Sequence, residues 1–187
     1  MITLRHYERV VQIWLDELPE WSYEESEVAE RHQQTIQVCF TEVLRAAVEL
    51  FIPKGGRAYY GALGAEFVPG QQGRLLIQVP FSPSGSHPIR PSVAGRVDVV
   101  RVGLAHEYVG SVLDGVLSLN PAQLLGQGTL CFCCASYGEV GSSPWLFQRL
   151  GRIVVKLLSI DRHSVSEEEL GRLISLELKY SSAKKGS

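Results

Sequence analysis

A run of apolar residues near the C-terminus constrains this chain more than any other feature. Leu146, Phe147, Leu150, Ile153, Val154, Leu157 and Leu158 recur at steps of one, three and four, the repeat of a single helical face. Ser143 before Pro144 supplies a side-chain cap, followed by a residue whose missing N–H is no loss in a first turn. A helix so apolar on one side must lie on a broad apolar surface. Arg149, Arg152 and Lys156 fall on its other side. A second face, made of Ala105, Tyr108, Val109, Val112, Leu113 and Val116, predicts another such helix over 105–118, with Glu107, Ser111, Asp114 and Ser118 turned outward.

The surface these helices require is predicted as a sheet. Leu75, Ile77, Val79 and Phe81 alternate with Arg74, Gln78 and Pro80, as a half-buried strand should. Arg57 to Phe67 is expected to pair with it through a turn around Pro69-Gly70. Ser82–Pro91, with three prolines, reads as a loop. Val97, Val99, Val100 and Val102 form a third strand, and Thr129–Tyr137 a fourth. A last short helix begins near Ser164 or Ser166, its positive end next to Glu167, Glu168 and Glu169, and a polar tail follows from Ser181 to Ser187. The order β-β-β-α-β-α predicts an α+β fold: a four-stranded, mainly antiparallel sheet with the helices packed on one face.

Charge and glycine content divide the chain into three. Residues 1–56 hold ten acids and five bases, residues 57–160 five acids and eight bases, and residues 161–187 five of each. Glycine and proline are sparse before Pro53 and frequent after it. The first third is expected to be an acidic, mainly helical extension. Tyr7, Val10, Val11, Trp14, Leu15 and Leu18 fall at helical spacing up to Pro19, and Ile36, Cys39, Phe40, Val43, Ala47, Leu50 and Phe51 do so up to Pro53. The β-branched Thr35, Ile36 and Val38 leave a strand near 35–40 as the alternative. The rest is a core over 57–160 and a C-terminal helix with its tail over 161–187.

Three segments of that core resemble domain IV of elongation factor G. Gly70-Gln71-Gln72-Gly73-Arg74-Leu75-Leu76-Ile77 is similar to its GQYGHVxI segment. Val102 to Val109, continuing through Val112 to Asp114-Gly115-Val116, is similar to its IPxEYIPAVxxGI helix. Ala135-Ser136-Tyr137-Gly138-Glu139-Val140-Gly141-Ser142-Ser143 is similar to its GSYHDVDSS segment. The resemblance implies that family's fold, including a left-handed βαβ crossover against the usual rule. It also implies two loops at one tip, here Phe67, Val68, Pro69, Gly70 and Gln71 on one side and Tyr137, Gly138 and Glu139 on the other. In the family the first loop carries a Gly-Gly-Arg run and the second a His-Asp pair, and both enter the decoding site of the small ribosomal subunit. Phe67-Val68-Pro69 and Gly138-Glu139 replace them here, so phosphate-contacting charge is lost.

Little in the sequence suggests catalysis. No phosphate loop of the Gly-x-x-x-x-Gly-Lys-Ser/Thr type is present, so no GTP is expected. Cys131-Phe132-Cys133-Cys134 contains a CxxC spacing, but on a regular strand positions 131 and 134 face opposite sides and cannot share an ion. His106-Glu107 opens like a zinc-binding HExxH, yet Gly110 stands where the second histidine belongs. No metal or other cofactor is expected. The formal charge of −2 removes the simplest case for nucleic acid. No apolar run approaches the roughly 20 residues that span a bilayer, and the charged N-terminus does not read as a signal peptide, so a cytoplasmic location without membrane contact is expected. The basic residues Arg149, Arg152 and Lys156 are either a solvated helix face or a contact for RNA phosphate or an acidic partner, and the acidic segment Glu24–Glu30 could itself dock there. Together these features predict a non-catalytic binding module that engages a protein partner or a second copy, with a ribosome- or RNA-associated translation accessory as the alternative.

Overall fold

The structure is a computed structural model, and the residues described are all except 7–8, 22–26, 55, 83–87, 89–92, 95–96, 163 and 180–187. Its strands are β1 (Ile2–His6), β2 (Arg9–Leu15), β3 (Glu27–Gln34), β4 (Leu44–Lys54), β5 (Arg57–Pro69), β6 (Arg74–Phe81), β7 (Val100–Val102) and β8 (Gly128–Gly138). They form one eight-stranded sheet in the order β1-β2-β4-β5-β8-β6-β3, with β7 also on β8. β6 and β8 run parallel, and the other pairings are antiparallel. The helices are α1 (His106–Leu117), α2 (Pro121–Leu125), α3 (Pro144–Ser159) and α4 (Glu167–Lys179).

Strand alternation sorts the sheet into two faces. On the helical side lie Val11, Ile13, Ala46, Val48, Leu50, Leu63, Ala65, Phe67, Leu75, Ile77, Val79, Leu130 and Phe132, all buried in one cluster with the helices. Here α3 lies over β4 and β5, α1 and α2 over β6, and α4 over β1. Ser143 caps α3 as expected, its Oγ accepting from Leu146 N–H at 3.3 Å. A reciprocal capping box starts α4: Ser166 N–H donates to Glu169 Oε2 at 2.8 Å, and Glu169 N–H to Ser166 Oγ at 3.2 Å. On the opposite side, Trp14, Ala47 and Cys134 form one small cluster, and Tyr60, Ala94 and Val100 another.

The expected four-stranded sheet is therefore corrected to eight strands, and the expected helical N-terminus to strands β1 to β4. The cause is burial on both faces. In β2, Val11, Ile13 and Leu15 turn to the helices while Trp14 turns to the other side; in β4, Ala46, Val48 and Leu50 oppose Ala47 and Phe51. A strand covered on both sides loses its polar–apolar alternation and imitates a helical repeat. Tyr7, part of that repeat, lies outside the described residues, as does the polar tail. A second correction concerns neighbours. The strands at 57–67 and 75–81 do not pair with each other, because β8 enters between them: Phe67 and Ile77 both face Leu130.

α1 and α3 approach so closely that two glycines are required. A β-carbon at Gly115 would sit 2.1 Å from the Gln148 carbonyl oxygen, and one at Gly151 2.9 Å from that of Val112. Gly115→Ala is expected to destabilise the protein by about 2–3 kcal/mol, since two backbones must separate, and Gly151→Ala by about 1 kcal/mol. Urea unfolding of the two variants against wild type checks the ranking.

Candidate functional site

The two turns singled out from the sequence lie far apart. Val68 faces Thr129 at the start of β8, and Gly138 ends that strand. At about 3.3 Å per residue this separates them by roughly 25–30 Å. They do not form one tip. In the first turn Phe67 is wholly buried and meets Phe40 edge-on at 6.4 Å, Val68 and Gln71 are exposed, and Pro69 and Gly70 are half-buried, Gly70 N–H donating to the Gln127 carbonyl at 3.2 Å. At the second, Tyr137 lies against Tyr108 of α1 at 6.0 Å, so a helix covers it. Gly138 N–H donates to Ser142 Oγ at 2.9 Å, and Glu139 pairs with Arg101, whose Nε is 2.7 Å away.

Two of the three basic residues of α3 are neutralised within the chain. Arg152 Nε donates to Glu177 Oε2 at 2.6 Å, and Lys156 Nζ lies 2.5 Å from Glu177 Oε1. Although burial works against it, these two cations hold the Glu177 carboxyl below its ordinary range. Arg149 is buried with its guanidinium over Trp145, 5.9 Å from the ring centre. The acidic occupant comes from α4, not from the N-terminal acids: Glu27 and Glu30 lie on β3, paired to β6, and Glu24 is outside the described residues.

On the face away from the helices, a buried hydrogen-bonded chain crosses three strands. Glu49 of β4, Ala62 of β5 and Ser136 of β8 stand in one row by register. Tyr60, two residues along β5, lays its ring over that row. Its hydroxyl donates to Glu49 Oε1 at 2.8 Å and shares a 2.7 Å hydrogen bond with Ser136 Oγ. Burial pushes the Glu49 carboxyl up, more than the hydrogen bonds from Tyr60 and the Val93 backbone hold it down. Burial and the adjacent carboxylate also raise Tyr60 far above the phenolic range. Serine, tyrosine and glutamate in hydrogen-bonding sequence resemble a nucleophile with its base, yet this tyrosine is a poor base and the chain is sealed from solvent. It clamps the strands together.

The cysteines sit beside this chain. β8 carries a bulge: Glu66 faces Cys131 and Gly64 faces Cys134, so the single Ala65 opposes both Phe132 and Cys133. The extra residue restores Cys131 and Cys134 to the same face, correcting the expectation that they point apart. Burial pushes the Cys134 thiol up, away from the reactive thiolate. Among the described residues no three His, Cys, Asp or Glu side chains are grouped to hold a metal ion.

Two surface features stand out, one at each end of β5. Near Gly138 a cleft of about 840 Å³ is lined by Phe51, Pro53, Tyr59, Val97, Asp98 and Val140, among others. Its carboxylate is already engaged, Asp98 Oδ2 accepting from Gly141 N–H at 2.7 Å. At the Val68 end, residues 35–43 form a strap across the sheet. Thr35 N–H donates to the Gly73 carbonyl at 3.1 Å, and the Gln37 carbonyl accepts from Gln127 N–H at 2.8 Å. The strap holds Ile36 87% exposed, Val38 61% and Val43 44%, while Val68, one step past the last β4–β5 pair beside Val43, is 42% exposed. Segments 33–43, 67–73 and 120–128 meet here, and Glu42 is their only charged residue. Sequence patterning took Ile36 for the start of a helical face; the readable signal was the absence of charge among the glutamines. Glu49 was also missed, though an acid inside Ala46-Ala47-Val48-Glu49-Leu50-Phe51 marks a buried partner once the segment is a strand.

No family model matches the chain, and neither does any curated protein. No helix among the described residues is long and apolar enough to cross a membrane.

Glu49 yields a signed pH dependence. Its folded-state pKa is raised, so the stability it contributes is present below its ordinary pKa and is lost as pH rises through the folded value. Glu49→Gln keeps an acceptor for Tyr60 and removes the titration. Relative to wild type, this variant is expected to be more stable at about pH 8 than at about pH 5. Chemical unfolding of both proteins at the two pH values measures the difference.

Proposed function

We propose that this protein is a non-catalytic binding module that engages another protein, or a second copy of itself, through the strap end of its sheet. The observation that carries this is the exposure of Ile36, Val38, Val43 and Val68 on segments nearly free of charge. Exposed aliphatic residues gathered within uncharged surface are what a protein interface buries, and the desolvation of that surface is cheap because only Glu42 must be accommodated. The same composition is ill suited to a phosphate backbone, which calls for several lysines or arginines. Support comes from this surface and not from the likeness to domain IV of elongation factor G, whose action needs both loops at one tip. Non-catalytic action accords with the sealed Ser136–Tyr60–Glu49 chain and with the engagement of Asp98 at the cleft.

The double variant Ile36→Asp/Val38→Asp tests it, because both side chains project into solvent and their replacement leaves the core intact. Affinity capture from native extract and sedimentation velocity are run on both forms. Wild type is expected to retain a partner, or to self-associate, at least tenfold more strongly than the variant, with unfolding stability equal to within about 0.5 kcal/mol. Equal retention by both forms rules the strap end out. Salt-dependent co-sedimentation with small ribosomal subunits would instead favour the translation accessory reading.

A further inference from the structure

α4 is held by one narrow face. Leu170, Ile174 and Glu177 are its buried residues, at steps of four and three, and its neighbours are α3 and β1. A β-carbon at Gly171 would lie 3.9 Å from Leu4 Cδ1, which places that turn of the helix above β1. Anchors at i, i+4 and i+7 are the pattern by which an amphipathic helix docks in the groove of another protein.

The groove itself is built by other elements. α3 is fixed over β4 and β5 by Leu146, Leu150, Ile153 and Val154, and it presents Arg152 and Lys156 from that position. Arg152 is further oriented by Ser118 at the C-terminal end of α1, which accepts a hydrogen bond from its Nη1. Two cations thus share the single carboxylate of Glu177. The seat carries one positive charge more than its occupant neutralises.

We propose that α4 fills, within the chain, a groove that also takes an acidic amphipathic helix of a partner protein. Such a helix presents aliphatic residues at the places of Leu170 and Ile174 and carboxylates at and around that of Glu177. This surface is separate from the strap end. A tethered helix acts at an effective concentration on the order of millimolar. Weak helices are therefore excluded while α4 is seated, and a helix that satisfies both cations displaces it.

The test uses a fluorescein-labelled peptide of residues 164–180, titrated by polarisation into the full chain and into two full-chain variants that unseat the native helix, Leu170→Asp/Ile174→Asp and Glu177→Lys. Hydrogen exchange of β4, β5 and α3 monitors the core. Binding to both variants is expected to be at least tenfold tighter than to wild type, with core protection retained, and the same peptide carrying Glu177→Lys should lose at least tenfold in affinity. Three results overturn the proposal: no peptide binding by the variants, binding indifferent to the peptide's Glu177→Lys change, or loss of core protection in both variants, which would make α4 part of the fold and not an occupant of it.

Discussion

The ladder between β5 and β8 holds the two halves of the sheet together. On one side of it stand β1, β2 and β4, on the other β6 and β3, and among the described residues no other strand pairing joins them. Small residues line β5 along this seam. Gly61 lets Leu146 and Leu150 of α3 settle onto the strand, since a β-carbon there would meet them at 3.1 and 3.0 Å. Gly64, facing the other way, would bring a β-carbon to 2.7 Å from that of Ala47. The bulge in β8 then resets the alternation, so that Phe132 and Ala135 both join the helical-side core while Cys134 and Ser136 turn outward. The buried chain through Tyr60 depends on that reset, because Ser136 reaches the tyrosine only from the outer face.

Buried carboxylates divide the work in two ways. Glu177 lies between two cations, which more than compensate its burial; Glu49 has a phenol and a backbone amide and no cation among its described hydrogen-bond partners. The stability each contributes therefore changes with pH in opposite directions, falling for Glu49 as pH rises and for Glu177 as pH falls. Glu177 fastens a peripheral helix, whereas Glu49 ties three strands across the back of the sheet. Both sites are internal to the protein, which leaves the strap end as the surface whose composition most resembles an interface.

What the sequence made legible depended largely on how each element is buried. Elements with a single buried face could be read: α1 and α3 from their stripes, β6 from Leu75, Ile77, Val79 and Phe81, and the start of α4 from Ser166 and the glutamates after it. Elements buried on both faces were read unevenly: β5 and β8 were recognised as strands from their composition, whereas β2 and β4 passed for helix. β2 and β4 carry apolar side chains front and back, and β3, at the sheet edge, is so polar that no apolar alternation marks it as a strand. Pairing was hidden for another reason. The turn at Pro69-Gly70 suggested a hairpin, but adjacency in sequence does not reveal a later strand inserted between its arms. The same dependence holds at the candidate site. Val68 was legible as exposed and Phe67 was not distinguished from it, because strand alternation puts neighbouring residues of one turn on opposite sides.

The insertion of β8 bears on how the chain assembles. Until residues 128–138 exist, β5 and β6 each present an unsatisfied row of amides and carbonyls along the edges that β8 will later occupy. Their closure waits on contacts distant in sequence, the kind that slow folding and prolong the lifetime of adhesive intermediates. During synthesis the nascent chain therefore passes through a stage with two sticky borders and no strand to seal them, and the last central strand to emerge is the one that ends its vulnerability to aggregation.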